Sequence, residues 1–169
     1  MTELATSLTA TEAERLAQAE SLVRGFCGWH IAPSRTVTAG TIRARGGHNL
    51  FLPSLYVTAV SNVIDEETAL TVEDDYTWST AGVITRGGHW STGEITVTYT
   101  HGYDVPPPEV TAVVQAIAQR AVNNPGGVTT SRSIGPFSES YGPLANGTAL
   151  SLFDSEMEVL RRYRLPVVG

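Results

Sequence analysis

The sequence predicts an α+β fold, a small helical core with an inserted antiparallel β module and a long loop that orders on assembly. Apolar residues recur at helical spacing near both ends and after a triple proline. Between them, residues 36–100 break into short segments rich in β-branched and aromatic residues, separated by glycine turns. A polar stretch, residues 123–151, follows neither pattern.

Thr11 and Glu14 have the spacing of a capping box, and Leu16, Ala19, Val23 and Phe26 recur behind them. A first helix is therefore expected within residues 11–28, ending at Gly25 to Gly28. The segments TVTAGTIRAR, LYVTAVSNVI, ALTV, YTWS, GVITR and EITVTYT then read as strands, with turns at Arg45-Gly46-Gly47-His48-Asn49 and Arg86-Gly87-Gly88-His89. In the last of these, Ile95, Val97 and Tyr99 alternate with Thr96, Thr98 and Thr100, the pattern of one buried and one wet face. Behind Pro106-Pro107-Pro108, the residues Val110, Val113, Val114, Ile117, Ala118 and Ala121 fit one helical face throughout. That helix, within 106–124, stops at Asn123-Asn124-Pro125-Gly126-Gly127. A short third helix starts near Asp154 within 152–165, with Phe153, Met157 and Leu160 on one side, and stops at Pro166. The segment 123–151 is too long for a plain connection, and its spaced Ile134, Phe137 and Tyr141 suit ordering against a partner rather than a disordered linker.

At 169 residues the chain can bury one real core, so a single domain is the expectation. The N-terminus MTELATSLTATEAE lacks the order of a signal peptide, and the apolar runs are short, so no membrane segment is expected. The one cysteine, Cys27, excludes an internal disulfide and reads as a small core residue. All eleven basic residues are arginine, which rules out lysine Schiff-base chemistry and a P-loop lysine. Net charge is −6, with acids gathered in Asp65-Glu66-Glu67 and Glu73-Asp74-Asp75. A DNA-gripping protein needs a basic face, and this chain has no obvious one. The acidic bursts read as a solvated edge or as a negative wall along a channel.

Candidate chemistry centres on THGYD, where His30, Tyr99, His101, Tyr103 and Asp104 could form an acid/base site. No GxSxG, HExxH or phosphate loop keeps them company. The expectation is a joint instead: Gly102 turns the chain, Asp104 bonds turn amides and the tyrosines pack. His48 and His89 sit in glycine turns, no two histidines share a close zinc spacing, and no cofactor or metal is expected. Trp29, Trp78 and Trp90 could line a sugar-binding face but more readily serve as core and interface anchors.

In order along the chain, GFCGWHIAPSRT, LFLPSLYVTAVSNV, YTWSTAGVITR, ITVTYTHGYDVPPPEVTAVVQAIAQRA, SRSIGPFSESYG and EVLRRYR resemble the head-to-tail adaptor proteins of long-tailed bacteriophages, over residues 12–164. The resemblance implies a non-enzymatic virion protein, made in the bacterial cytoplasm and placed at the neck. It implies a homo-oligomeric ring, a dodecamer, beneath the portal protein, extending the channel through which double-stranded DNA passes without specific binding. A next neck or tail-completion protein docks on the other side. Carried onto this chain, it makes Arg161, Arg162, Tyr163 and Arg164 the portal-binding end and Ile134, Phe137 and Tyr141 an intersubunit strap. Asp65, Glu66, Glu67, Glu73, Asp74 and Asp75 become channel-lining or solvated acids. The alternatives are a neighbouring stopper-type ring protein of the neck or tail, and a carbohydrate-binding or hydrolytic domain.

Overall fold

The computed structural model describes residues 2–123, 131–134, 137–140 and 150–166, with side chains described for 12–123 and 150–166. Three helices and three antiparallel sheets make it an α+β protein. The chain divides into two compact units: one takes residues up to Cys27 and Pro108–Arg162, the other Gly28–Pro107 and the segment from Tyr163.

In the first unit, helix α2 (Pro108–Asn123) buries all six positions of its predicted face, Val110, Val113, Val114, Ile117, Ala118 and Ala121. Pro108 opens the helix, where a missing N–H has no intrahelical acceptor to lose. Helix α1 spans Thr2–Cys27 and so begins nine residues before the expected Thr11 cap. Residues 2–24 contain neither glycine nor proline, so nothing local interrupts the helix at Thr11. The buried row of α1 is Ala19, Val23 and Cys27, at spacings of four, whereas Leu16 is exposed and Phe26 only partly covered. Helix α3 (Asp154–Leu160) turns its Leu160 fully inward and runs into a 3-10 turn, Arg161–Tyr163. Inside the expected loop 123–151, strands β8 (Ser131–Ile134) and β9 (Phe137–Ser140) form a hairpin that the sequence pattern does not announce.

The second unit holds β1 (Arg35–Arg45), β2 (Asn49–Phe51), β3 (Val57–Asp65), β4 (Thr68–Leu70), β5 (Tyr76–Trp78), β6 (Val83–Arg86) and β7 (Thr92–His101). Six of these match the expected strands; β2, lying just ahead of the expected LYVTAVSNVI strand, is the addition. One sheet has the order β1-β7-β3-β4, the other β2-β6-β5, and all pairings are antiparallel. Both sheets contribute to one core that includes Leu50, Val57, Val63, Ile84, Trp90 and Val97. Along β7, Ile95, Val97 and Tyr99 are buried while Thr96, Thr98 and Thr100 are half-exposed, as the alternation predicts.

Close approach of backbone fixes one turn in this unit. Gly82 has φ +77°, its N–H donates to Ser79 O, its C=O accepts from Leu52 N–H, and an added Cβ would lie 2.4 Å from Ser54 O. A side chain there meets both an unfavourable φ and main chain that cannot step aside. Gly82→Ala is expected to destabilise the protein by about 2 kcal/mol or more, read as a fall in the urea midpoint; an unchanged midpoint would show that the β5–β6 turn has room to relax.

Candidate functional site

Of the C-terminal residues Arg161, Arg162, Tyr163 and Arg164, the first two belong to the same unit as α3 and come directly after Leu160, so their placement rests on the contacts that hold that helix. Seven residues are too few for an independently stable helix. Arg120 of α2 supplies the support. Its two terminal nitrogens donate to the two oxygens of Glu156 at 3.0 and 3.1 Å, and one also donates to Ser151 O at 2.7 Å. The guanidinium carbon stands 3.8 Å from the centre of the Phe153 ring, and Glu156 accepts the Phe153 N–H at 2.8 Å. This bidentate pair is largely withdrawn from water, with 16% and 11% of the two side chains exposed. Behind it, Leu160 is fully buried and the Cys27 thiol lies 3.9 Å from Leu160 O. Neither Arg120 nor Glu156 stands out in the sequence, although their charges lie among apolar helical positions.

Arg161, Arg162 and Arg164 are exposed, and Tyr163 is half-buried. Arg161 forms a solvent-exposed pair with Glu158 at 2.6 Å, a contact of small energetic weight. In the second unit, the Trp29 indole N–H donates to Tyr163 O at 2.6 Å.

The acidic residues divide. Glu66 and Glu67 occupy the β3–β4 turn, both at positive φ, and with Glu73, Asp74 and Asp75 they are exposed. Asp75 caps a different turn, the one between β4 and β5, accepting the Thr71 N–H at 2.8 Å. Asp65 departs from the expected solvated or channel-lining role. It is 4% exposed and accepts from Arg86 at 2.6 Å, while Arg86 lies over Trp90 with 5.6 Å to the ring centre. A carboxylate at the last position of β3 faces inward because the strand alternation turns it there, and Arg86 supplies the counter-charge.

At THGYD, β7 ends on His101 and Gly102 turns the chain at φ +96°. Main-chain bonds close the turn: Gly102 N–H donates to Tyr56 O and Tyr103 N–H to Ile31 O. Asp104 is exposed and is not what holds the turn, contrary to the expectation. Tyr103 stacks on Tyr56, with ring centres 4.3 Å apart and planes at 9°, and Tyr99 is buried. His101 is 2% exposed; its Nε2 accepts from Arg35 Nε–H at 3.3 Å, which leaves the proton of the neutral ring on a buried Nδ1 that has no partner. Burial, reinforced by the Arg35 and His30 charges, pushes its pKa down to about 4. His30 comes within 6.0 Å of His101, ring to ring, but its Nε2 is engaged with Pro33 O at 2.6 Å. The five residues of the acid/base reading thus divide into packing groups, a neutral buried imidazole and a solvated Asp104.

His48 and His89, far apart in sequence, meet with ring centres 4.3 Å apart. Among the described residues no group of three or more His, Cys, Asp or Glu could hold a metal ion. Trp29 and Trp90 are buried, and Trp78, partly buried, packs against the β core. Of the strap residues, Ile134 ends β8 and Phe137 begins β9, paired across the hairpin, while Tyr141 lies outside the described residues. Among the described residues no helix is long and apolar enough to cross a membrane. No protein-family model matches the chain, and no curated protein matches it.

Two measurements test these contacts. Arg120→Ala strands the Glu156 carboxylate and is expected to cost about 3 kcal/mol of stability, measured by denaturant unfolding; a loss below about 1 kcal/mol would mean that the pair does not hold α3. For His101, the folded pKa lies below the ordinary value near 6.5, so its contribution to stability is present above about pH 6.5 and is lost as pH falls towards 4. Wild type should therefore lose about 1–2 kcal/mol more than His101→Gln between pH 7 and 4, and parallel pH profiles of the two would contradict it.

Proposed function

We propose that this chain is a head-to-tail adaptor of a long-tailed bacteriophage, a non-enzymatic ring component of the neck that joins the portal to the tail and prolongs the DNA channel. The sequence likeness over residues 12–164 motivates the reading. The observation that carries it is the C-terminal end: Arg161 and Arg162, open to solvent, come immediately after a fully buried Leu160 whose helix is clamped by Arg120 and Glu156. A held backbone that presents guanidinium groups outward loses little freedom on docking, and arginine is a residue type that dominates interface hot spots. The negative balance of −6 and the exposed Glu66, Glu67, Glu73, Asp74 and Asp75 suit a conduit that must not retain DNA, since phosphate contacts add salt-dependent affinity.

In this reading Arg161, Arg162, Tyr163 and Arg164 face the portal, the hairpin segment around Ile134, Phe137 and Tyr141 reaches a neighbouring subunit, and the β unit faces the next neck protein. Co-sedimentation with the portal ring of the same virus tests it. Wild-type protein should bind in ring stoichiometry. The double variant Arg161→Glu, Arg162→Glu should lose binding at least tenfold, about 1.4 kcal/mol, while its thermal unfolding stays near that of wild type because both side chains are exposed and Leu160 is untouched. A wild-type chain that ignores the portal would sink the adaptor reading and move the protein to the tail side of the neck.

A further inference from the structure

The sheet β1-β7-β3-β4 has two open edges of opposite charge. On one side lies β1, eleven residues long, and among the described residues no strand pairs with its outer edge. Its charged residues are Arg35, Arg43 and Arg45, with no acid between them. On the other side β4 covers only residues 63–65 of β3, leaving β4 itself and residues 58–62 of β3 without an outer strand among those described. This edge carries Glu66 and Glu67 in its turn, with Glu73, Asp74 and Asp75 just beyond.

The pairing register sets the two charge groups at one level. Arg43 and Arg45 lie opposite Glu94 and Thr92 of β7, and Asp65, the residue before the acidic turn, lies opposite Ile95 of the same strand. The arginines and the acidic turn therefore occupy the same end of the sheet, on opposite edges. Strand direction fits as well. β1 and β3 are both antiparallel to β7, and β4 is antiparallel to β3, so a second copy placed alongside sets its β1 antiparallel to the first copy's β4. Antiparallel alternation then continues unbroken from copy to copy.

We infer that the sheet is continued from one copy of this chain to the next, head to tail, with the end of β1 (residues 41–45) of one copy on the β4 edge (residues 68–70) of its neighbour and Arg43 and Arg45 beside the neighbour's Glu66 and Glu67. The occupant is a second copy because the complementary edge is the chain's own. A two-fold β1-to-β1 pairing would instead set an all-arginine edge against itself. The bulge in β1 between Val37 and Gly40, with Ala39 at φ +51°, interrupts the other half of this edge and confines regular pairing to the Arg43 end. The inference deepens the ring reading and rests on it for the requirement that copies meet.

Sedimentation velocity on the full chain, over a concentration series and without portal, tests it through two charge-inverted variants: Arg43→Glu with Arg45→Glu, and Glu66→Arg with Glu67→Arg. Wild type is expected to self-associate reversibly and more weakly as NaCl is raised. Each variant alone should associate about tenfold or more weakly. Mixed in equal amounts the two should recover wild-type association, because each inverted edge then meets an inverted partner. A wild type that stays monomeric at every concentration, variants that associate like wild type, or a mixture that fails to recover would each overturn the inference. Should a variant's thermal unfolding shift from that of wild type, amide exchange on wild type decides: concentration-dependent protection at residues 41–45 and 68–70 supports the edge contact, and protection only elsewhere refutes it. A chain that associates through these edges yet ignores the portal defeats the adaptor reading alone, and a chain that binds portal while its edge variants assemble normally defeats this one alone.

Discussion

A single guanidinium, that of Arg120, organises the end of the chain. Burying a charge is unfavourable unless it is paired and hydrogen-bonded, and Glu156 meets it with two parallel bonds while Ser151 O adds a third. Because Glu156 also takes the Phe153 N–H, the same carboxylate stabilises the start of α3 and ties that helix to α2. A seven-residue helix has almost no stability of its own, so its direction is inherited from this contact and from Leu160. Arg161 and Arg162, next along the chain in the same unit, take their place from that series of dependences.

The β unit repeats the device with different residues. Asp65 is buried at the end of β3, Arg86 reaches it from β6, and the Trp90 ring lies beneath the guanidinium. The pair joins a strand of the four-stranded sheet to one of the three-stranded sheet at the border of their shared core. In both units a lone arginine meets a carboxylate remote in sequence and lies near an aromatic face. Guanidinium suits this because its planar group donates edge-on to a carboxylate, through two bonds at Glu156 and one at Asp65, while its face lies near a ring, which an ammonium group cannot do.

Periodic features were legible in the sequence because they depend on neighbours a few residues away. The six buried positions of α2 and the alternation of β7 follow from helix and strand geometry. Contacts between remote segments were not legible. Nothing near Asp65 announces Arg86, and the run Asp65-Glu66-Glu67 looks uniform although strand alternation buries its first member and a turn exposes the other two. The start of α1 was misplaced for a related reason: Thr11 and Glu14 have cap spacing, but the residues before them are equally able to be helical, so a local motif lost to continuity. For THGYD the expected joint is present, yet main-chain bonds close it and Asp104 does not. Spacing alone could not choose between those two donor–acceptor arrangements.

The first and last long strands of the β unit are neighbours, and Arg35 at the entrance lies directly opposite His101 at the exit. Residues directly opposite in an antiparallel pair are only ~5 Å apart at Cα. Sixty-five residues thus intervene between two points that almost touch. Material gained or lost between them leaves that gap unchanged, so this portion of the gene can be exchanged as a cassette.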